Sequence, residues 1–276
     1  MASRFLYHAY AVGVAGQITR PINHLIPSQA VSALPAAGGY SSSRQDAHHI
    51  LELFSHAGAS SEATGSQNPS TSNYETSVTA TIQGLNIENV LLLDSCTAYL
   101  TSVHPAAGGQ PPITAQGSFF QNLRIAGRTI ELESRIDLYD SLNTLDKLRD
   151  RYRSDGGFRD RFLKEAFSGN AKALDVKQQK YFPWRDIKNT ADLPVSKATG
   201  ATVVPLFIVL NPSEPGFQVN GNVITVENFG TITLGELVIG GYERRLTMVH
   251  ADLGSPIEGS ISAADVGGNG SDTDPG

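Results

Sequence analysis

Residues Ser77–Thr101 read SVTATIQGLNIENVLLLDSCTAYLT. Val78, Ala80 and Ile82 alternate with Thr79, Thr81 and Gln83, the period of a half-buried strand. Gly84 breaks the run. A second apolar run, Val90–Leu93, leads into Thr97–Thr101, which is rich in β-branched and aromatic residues. The stretch Gly117–Glu133, GSFFQNLRIAGRTIELE, is the expected sheet partner. In it Leu123, Ile125 and, past an Ala126-Gly127 turn, Ile130 and Leu132 take alternating positions. These two stretches predict a mainly β fold, either a β-sandwich or an irregular β-solenoid.

Upstream, Leu6–Thr19 reads as a first strand, with Gly13 and Gly16 marking a bend or bulge. Pro21–Pro35 reads as an extended connection lying along the core surface. Ala36–Gly39 is a turn, and Tyr40–Ala57 is expected to be a strand. Ser60–Tyr74, SSEATGSQNPSTSNY, reads as an exposed polar loop. A second Gly/Pro loop spans His104–Pro112.

Downstream of Asp137 the period changes. Leu138, Leu142, Leu145, Leu148 and Tyr152 fall on helical spacing, with Asp140 as N-cap and Gly156-Gly157 as the stop. Phe158, Phe162, Ala166 and Phe167 mark a second helix, and Ala171–Gln179 a third. The 137–190 block is therefore expected to be a helical insertion or cap. Thr202–Leu210 returns to an apolar strand, with Pro205 placing it at an edge or bulge. Asn220-Gly221 and Gly240-Gly241 signal two hairpins. This divides the chain into a β-rich body over 1–136, the helical block over 137–190, completing hairpins over 191–262 and a Gly/Asp-rich tail over 263–276, too polar to order itself.

Composition narrows the function classes. The chain has 276 residues, near the upper end for one core. Charged residues make up 17%, below the usual level of roughly 25%, and the Gly, Ser, Thr and Asn that take up the difference favour turns and strands over long surface helices. A net charge of −6 argues against a general nucleic-acid binder, which needs excess positive charge to neutralise phosphates. Nothing approaches the ~18 consecutive apolar residues of a membrane-spanning helix. The N-terminal MASRFLYHAYAVGVAGQITRP reads as a strand rather than a signal peptide, because His8, Tyr7 and Tyr10 interrupt its apolar run. That reading places the protein in the cytoplasm or on an export route without a cleaved leader.

The chemistry-bearing groups are dispersed. Cys96 is the sole cysteine, so no internal disulfide or CxxC site exists, and its strand setting predicts a buried apolar role. His48 and His49 point to opposite strand faces, so they do not jointly grip a metal, while His48 and His56 share strand parity and with a distant Asp form a candidate site. A metal would need further ligands. Asp94-Ser95-Cys96 lacks the glycines of a nucleophile elbow. His250-Ala251-Asp252 sets two polar groups on one strand face and reads as a strand-end turn. Gly267–Asp272 matches the calcium-binding G-G-x-G-x-D repeat in a single copy, with Asp272 and Asp274 as the weak ion candidates; no cofactor is expected. In the helical block, Arg151, Arg153 and Arg159 stand among interleaved carboxylates. That is the pattern of a solvated ion-paired face or, more sharply, a docking surface with Phe182 and Trp184 as anchors.

Several pieces resemble bacterial β-rich surface proteins of the choice-of-anchor kind. They are Tyr10-Ala11-Val12-Gly13-Val14, Leu34–Gly39, Thr79–Leu85, Asn122–Gly127 and Val249-His250-Ala251. The resemblance implies a structural role at the cell surface or outside the cell, without catalytic residues. The leading expectation is a non-enzymatic structural or interaction protein. It would self-associate into a homo-oligomer, or bind another protein, through β edges such as Thr202–Leu210 and through the helical block. The alternative is a carbohydrate- or other ligand-binding module using Tyr181, Phe182 and Trp184 as a stacking platform. A hydrolase centred on Asp94, Ser95 or a histidine comes third.

Overall fold

The computed structural model describes residues 5–167, 192–195 and 200–272. The body is built from long antiparallel strands: β1 Phe5–Arg20, β2 His24–Ala33, β3 Gly39–Ile50, β4 Phe54–Gln67, β5 Tyr74–Ile87 and β6 Leu91–His104. Short strands β7 Ile113–Thr114, β8 Phe119–Gln121, β9 Arg124–Ile125, β10 Arg128–Thr129 and β11 Leu132–Ser134 follow. Helices α1 Ile136–Ser141, α2 Leu145–Ser154 and α3 Gly156–Phe167 come next. The chain then returns to strands with β12 Thr202–Pro205, β13 Phe207–Val209, β14 Phe217–Asn220, β15 Val223–Val226, β16 Gly230–Ile239, β17 Glu243–Leu253 and β18 Glu258–Asp272.

Two eight-stranded sheets pack face to face around one core. Sheet A runs β14-β15-β16-β17-β18-β1-β2, with β12 beside β16. Sheet B runs β10-β9-β6-β5-β4-β3, with β7 and β8 also on β6. A third, two-stranded piece joins β11 to β13. The core includes Ala11, Val14 and Val266 from sheet A, Ile82, Cys96 and Leu100 from sheet B, and Tyr139, Leu148, Tyr152 and Phe162 from the helices. The expected mainly β fold with a helical insertion is what the chain adopts, in its sandwich form.

Both sheets invert their pleat along a line. In β5 the inward residues are Val78, Ala80 and Ile82 before Gly84 and Leu85 and Ile87 after it, so inward parity changes from even to odd. In β4 the change falls between His56 and Ala59, and in β6 between Leu93 and Cys96. Sheet A does the same across five strands. Ladder partners bracket Gly235, Met248, Ala264, Gly13 and Ala30 into one row running from β16 to β2. Alternate members, Gly235, Ala264 and Ala30, have φ of +59°, +51° and +49°. A left-handed residue rotates the chain that follows, so side chains due to face out face in. One strand cannot do this alone without burying its polar set, so the neighbours turn over along the same line. A Cβ on Gly13 would lie 2.8 Å from Cβ of Ala59, so this close approach between the two sheets leaves no room for a side chain there.

Several sequence readings are corrected. Pro21–Pro35 contains strand β2, paired along β1, with a register shift between Val14 and Gly16 at the predicted bulge. Tyr40–Ala57 is two strands, β3 and the start of β4, turning at Leu51 with φ +48°. Most of the expected polar loop over Ser60–Tyr74 is the second half of strand β4, where the inward residues are the small Ser61, Ala63 and Gly65. The expected single helix with an Asp140 cap is two helices. Thr144 caps α2 by accepting from the Lys147 amide, while Asp140 sits inside α1 and accepts from the Ala115 amide at 2.8 Å. Gly156-Gly157 opens α3 instead of merely ending α2, with Asp155 accepting from the Phe158 amide. The loop of the β14–β15 hairpin is Gly221-Asn222, and only Gly221 has positive φ. Thr202–Leu210 divides after Pro205, β12 joining sheet A and β13 joining β11. Val204, Leu206, Phe207 and Val209 are buried, so this stretch is not an open apolar edge.

The largest correction concerns the C-terminal end. Glu258–Asp272 is a strand between β17 and β1, not an unordered tail. Val266 pairs with Ala11 on one side and Leu246 on the other. The G-G-x-G-x-D stretch therefore lies within a central strand, Asp272 opposite Phe5, and the turn stacking that holds an ion in a β-roll is not formed there. The helical pattern over 171–179, the aromatic group Tyr181, Phe182 and Trp184, and Asp274 lie outside the described residues.

Candidate functional site

The outward face of sheet B is a grid of hydroxyl groups in strict cross-strand register. One row reads Tyr40, Thr64, Ser77, Thr101, Thr114. The next reads Ser42, Glu62, Thr79, Tyr99, and the third Arg44, Ser60, Thr81, Thr97, Phe119. The grid exists because Val78, Ala80 and Ile82 of β5, and Cys96, Ala98 and Leu100 of β6, take the inward positions. Period two then forces their Ser, Thr and Tyr neighbours outward.

Hydrogen bonds fix the grid. The Thr81 and Thr97 hydroxyls are 2.9 Å apart and those of Thr101 and Thr114 are 2.8 Å apart. Ser77 donates to the Tyr99 phenol oxygen at 3.1 Å. Ser118 holds the Tyr99 backbone from both sides, its hydroxyl accepting from the amide at 3.0 Å and donating to the carbonyl at 3.1 Å. Each hydroxyl keeps further donor or acceptor capacity toward solvent. A hollow of about 550 Å³ lies on this face, bounded by Tyr40 and Arg44 on β3 and by Tyr99 on β6. A smaller one of about 260 Å³ adjoins it at Arg44 and Ser60. Tyr40 is 61% exposed. It stands three strand spacings from the strand of Tyr99, about 14 Å.

A second polar group decorates the outward face of sheet A. His250 accepts or donates at Nδ1 to Ser262 Oγ, 2.8 Å away, and its Nε2 lies 3.2 Å from Asp252 Oδ1. The expected turn at 250–252 is instead still strand, the last part of β17 before Leu253, and Ser262 comes from the opposite position of β18. The bond to Asp252 raises the His250 pKa above 6.5 against the opposing effect of burial. Burial also raises Glu236, which shares this face. The amides around Ser262 belong to a strand with ladder partners on both sides, β17 and β1. No pair of free amides is therefore left to receive an oxyanion there.

His48 and His56 do meet, as cross-strand partners with ring centroids 6.1 Å apart. His56 is 3% exposed and its Nε2 lies 2.7 Å from Gln29 Oε1 on β2. Burial, and then the neighbouring His48, hold its pKa below 6.5. The folded state thus resists protonating His56. Its contribution to stability is complete above about pH 6.5 and is lost as pH falls through the depressed folded pKa. His250 has the opposite sign, adding stability below 6.5 that is lost as pH rises. In thermal melts from pH 8 to pH 5, His56→Gln should flatten the acid decline in Tm and His250→Gln should steepen it. An unchanged acid limb in His56→Gln would remove the assignment.

The remaining sequence candidates are spread apart. Cys96 is fully buried, and burial raises its thiol pKa far above the usual range. Asp94 accepts from the Asn122 amide nitrogen at 2.6 Å, and among the described residues no hydrogen bond joins Ser95 to a histidine. Arg151 pairs with Asp155 at 2.7 Å, and its guanidinium lies 6.0 Å from the Phe158 ring centroid. Arg153 pairs with Asp192 at 3.1 Å, bordering a hollow of about 520 Å³. Arg159 sits on α3, a different helix from the other two. Among the described residues, no three or more His, Cys, Asp and Glu converge as a metal site, and no helix is long and apolar enough to cross a membrane.

Comparison with known families places the chain. A profile built for a domain of unknown function, DUF8256, matches residues 5–240. The chain belongs to the DUF8256 family. The match takes in every strand of sheet B, and with it all the residues of the hydroxyl grid; it ends before β17 and β18. Neither the curated proteins nor the solved structures contain a match.

Sequence reasoning did not find the grid. Its signal is the run of Ser and Thr at outward parity in β4, β5 and β6. That signal becomes a surface only once the register of four strands is known.

Proposed function

We propose that this protein is a non-enzymatic interaction protein that binds a polyhydroxylated ligand, a saccharide chain, across the outward face of sheet B. The observation that carries this reading is the hollow between Tyr40 and Tyr99, floored by hydroxyls that are already ordered. Tyrosine rings supply flat apolar area at low entropic cost, and preset hydroxyls match a partner made of hydroxyls. The aromatic platform expected near Trp184 is replaced in this reading by one built from Tyr40 and Tyr99. The committed amides around Ser262 support a binding role over a catalytic one. So does the resemblance to β-rich surface proteins.

The test is calorimetric titration with a panel of linear neutral hexasaccharides: β-1,4-glucan, α-1,4-glucan, xylan and chitin types. At least one should bind. Tyr99→Ala should then weaken it by about 2 kcal/mol, roughly 30-fold in Kd. Leu25→Ala, on the exposed side of β2, should leave it unchanged. No binding across the panel, or equal binding by Tyr99→Ala, would overturn the reading.

A further inference from the structure

Strand β3 is the outer strand of sheet B. One side pairs with β4 in a single register from Gly39 opposite Gly65 to Ile50 opposite Phe54, the ladder skipping Ala47. The other side has no backbone partner among the described residues. A row of free amides and carbonyls of this length is a template for another strand, and proteins usually blunt it. The adjacent edge of sheet A is blunted: β2 carries Pro27, a left-handed Ala30 and a register shift. The far edges are short, β14 with four residues and β10 with two. Among the described residues, β3, with 12 residues, no proline and no register shift, is the long edge left open.

Its side chains indicate what closes it. Arg44 and Asp46 are two residues apart, so they share the outward face, and both are exposed. Neither is in an ion pair among the described residues, whereas Arg128, Arg135, Arg151, Arg153 and Arg245 all are. Such a pair is self-complementary. In an antiparallel pairing of two copies about a two-fold axis at Gln45, Arg44 stands opposite the partner's Asp46, and Asp46 opposite the partner's Arg44. Oppositely charged cross-strand neighbours stabilise a sheet, and like charges in that place oppose it. An isologous two-fold contact is also the commonest way for one chain to meet itself.

We propose that a second copy of this chain pairs with β3, antiparallel and centred on Gln45, joining the two B sheets into one continuous sheet. The hydroxyl grids of the two copies then lie side by side, with both Tyr40 hollows along the shared seam. The dimer is independent of the saccharide reading, since it needs only the strand edge and its charges.

Light scattering on the full chain, coupled to size exclusion at low salt from 1 to 100 µM (roughly a hundredfold range spanning ordinary dimer affinities), decides it. Wild type should run at twice the chain mass. Arg44→Asp and Asp46→Arg should each weaken the dimer at least tenfold by setting like charges opposite one another. The double exchange, Arg44→Asp with Asp46→Arg, should restore it. Both changes lie at exposed positions, and unchanged circular dichroism of all three variants shows that folding is intact. A wild-type monomer at the top concentration overturns the proposal. So does a dimer that survives both single exchanges, or one that the double exchange fails to restore; either outcome places the contact elsewhere or leaves the edge to a different protein's strand.

Discussion

Replacing Gly235 by Val should destabilise the protein by about 2–6 kcal/mol, the sum of overpacking and a β-branched residue at positive φ. Gly235 is a left-handed member of the pleat-inversion row, with φ of +59°. A Cβ there would sit 2.4 Å from Cδ2 of Phe207 and 3.5 Å from Cβ of Leu206. Both neighbours are buried, so neither can swing away into solvent. Val adds two methyl groups beyond a Cβ that already has no room. A loss of this size is a large part of the roughly 5–15 kcal/mol that holds a typical domain folded. Gly127→Val is the control for backbone strain alone, since Gly127 has a similar φ of +75° and nothing within 4 Å of its Cβ position. Urea denaturation should give Gly127→Val the smaller loss. Equal losses would mean that the contact with Phe207 is not what limits Gly235.

Arg244→Met should cost about 3–5 kcal/mol, the range for removing one member of a buried polar set. Arg244 is 2% exposed and lies at the start of β17. Its guanidinium donates to the Leu142 carbonyl at 2.7 Å and to the Tyr139 carbonyl at 3.3 Å. These are C-terminal carbonyls of α1, a six-residue helix whose start has no side-chain cap. Helix ends leave such carbonyls without partners, and here an arginine from the sheet supplies them. Burial lowers the Arg244 pKa to about 10, and Asp140 opposes that shift by favouring the charged form. Met retains most of the volume, so the loss reports hydrogen bonds more than a cavity. Arg244→Lys should fall between, because an ammonium lacks the planar fork that reaches two carbonyls at once. Urea melts of the three proteins check the order. A loss below about 1 kcal/mol for Arg244→Met would show that α1 is held by its apolar residues alone.

The parts legible in the sequence are those where large apolar side chains alternate. Val78, Ala80 and Ile82 marked β5, and Leu145, Leu148 and Tyr152 marked α2, because each set points at the core with the period of its element. What escaped notice is strand built from small residues. In β4 the inward positions are Ala59, Ser61, Ala63 and Gly65, and a Cβ on Gly65 would lie 2.5 Å from Leu34 and 2.7 Å from Tyr7. In β18, Ala263 and Ala264 face the core, while Gly267 leaves space for the Tyr10 ring on the outward face. Close approach of neighbours demands small residues, and small residues read as loop or tail. The inversion row hid a second signal. Ile82 and Leu85 are three apart, which looks like a break in a strand until the left-handed Gly84 between them is seen.

The proposed binding surface depended on something one sequence does not display. Tyr40 and Tyr99 are far apart in the chain, and only the registers of β3 through β6 set them on one face. Arg244 was more accessible, since an arginine sharing parity with Leu246 and Met248 must point inward and find acceptors there.

The claim that the outward face of sheet B is where this protein works is tested most directly by hydrogen exchange. Amide exchange is read by mass spectrometry with and without the tightest-binding hexasaccharide of the panel. The expected result is added protection in peptides covering 40–46, 58–64, 76–82 and 96–101, with β16–β18 and the helices unchanged. Protection confined to α2 and α3, or to β17 and β18 around His250, would contradict it.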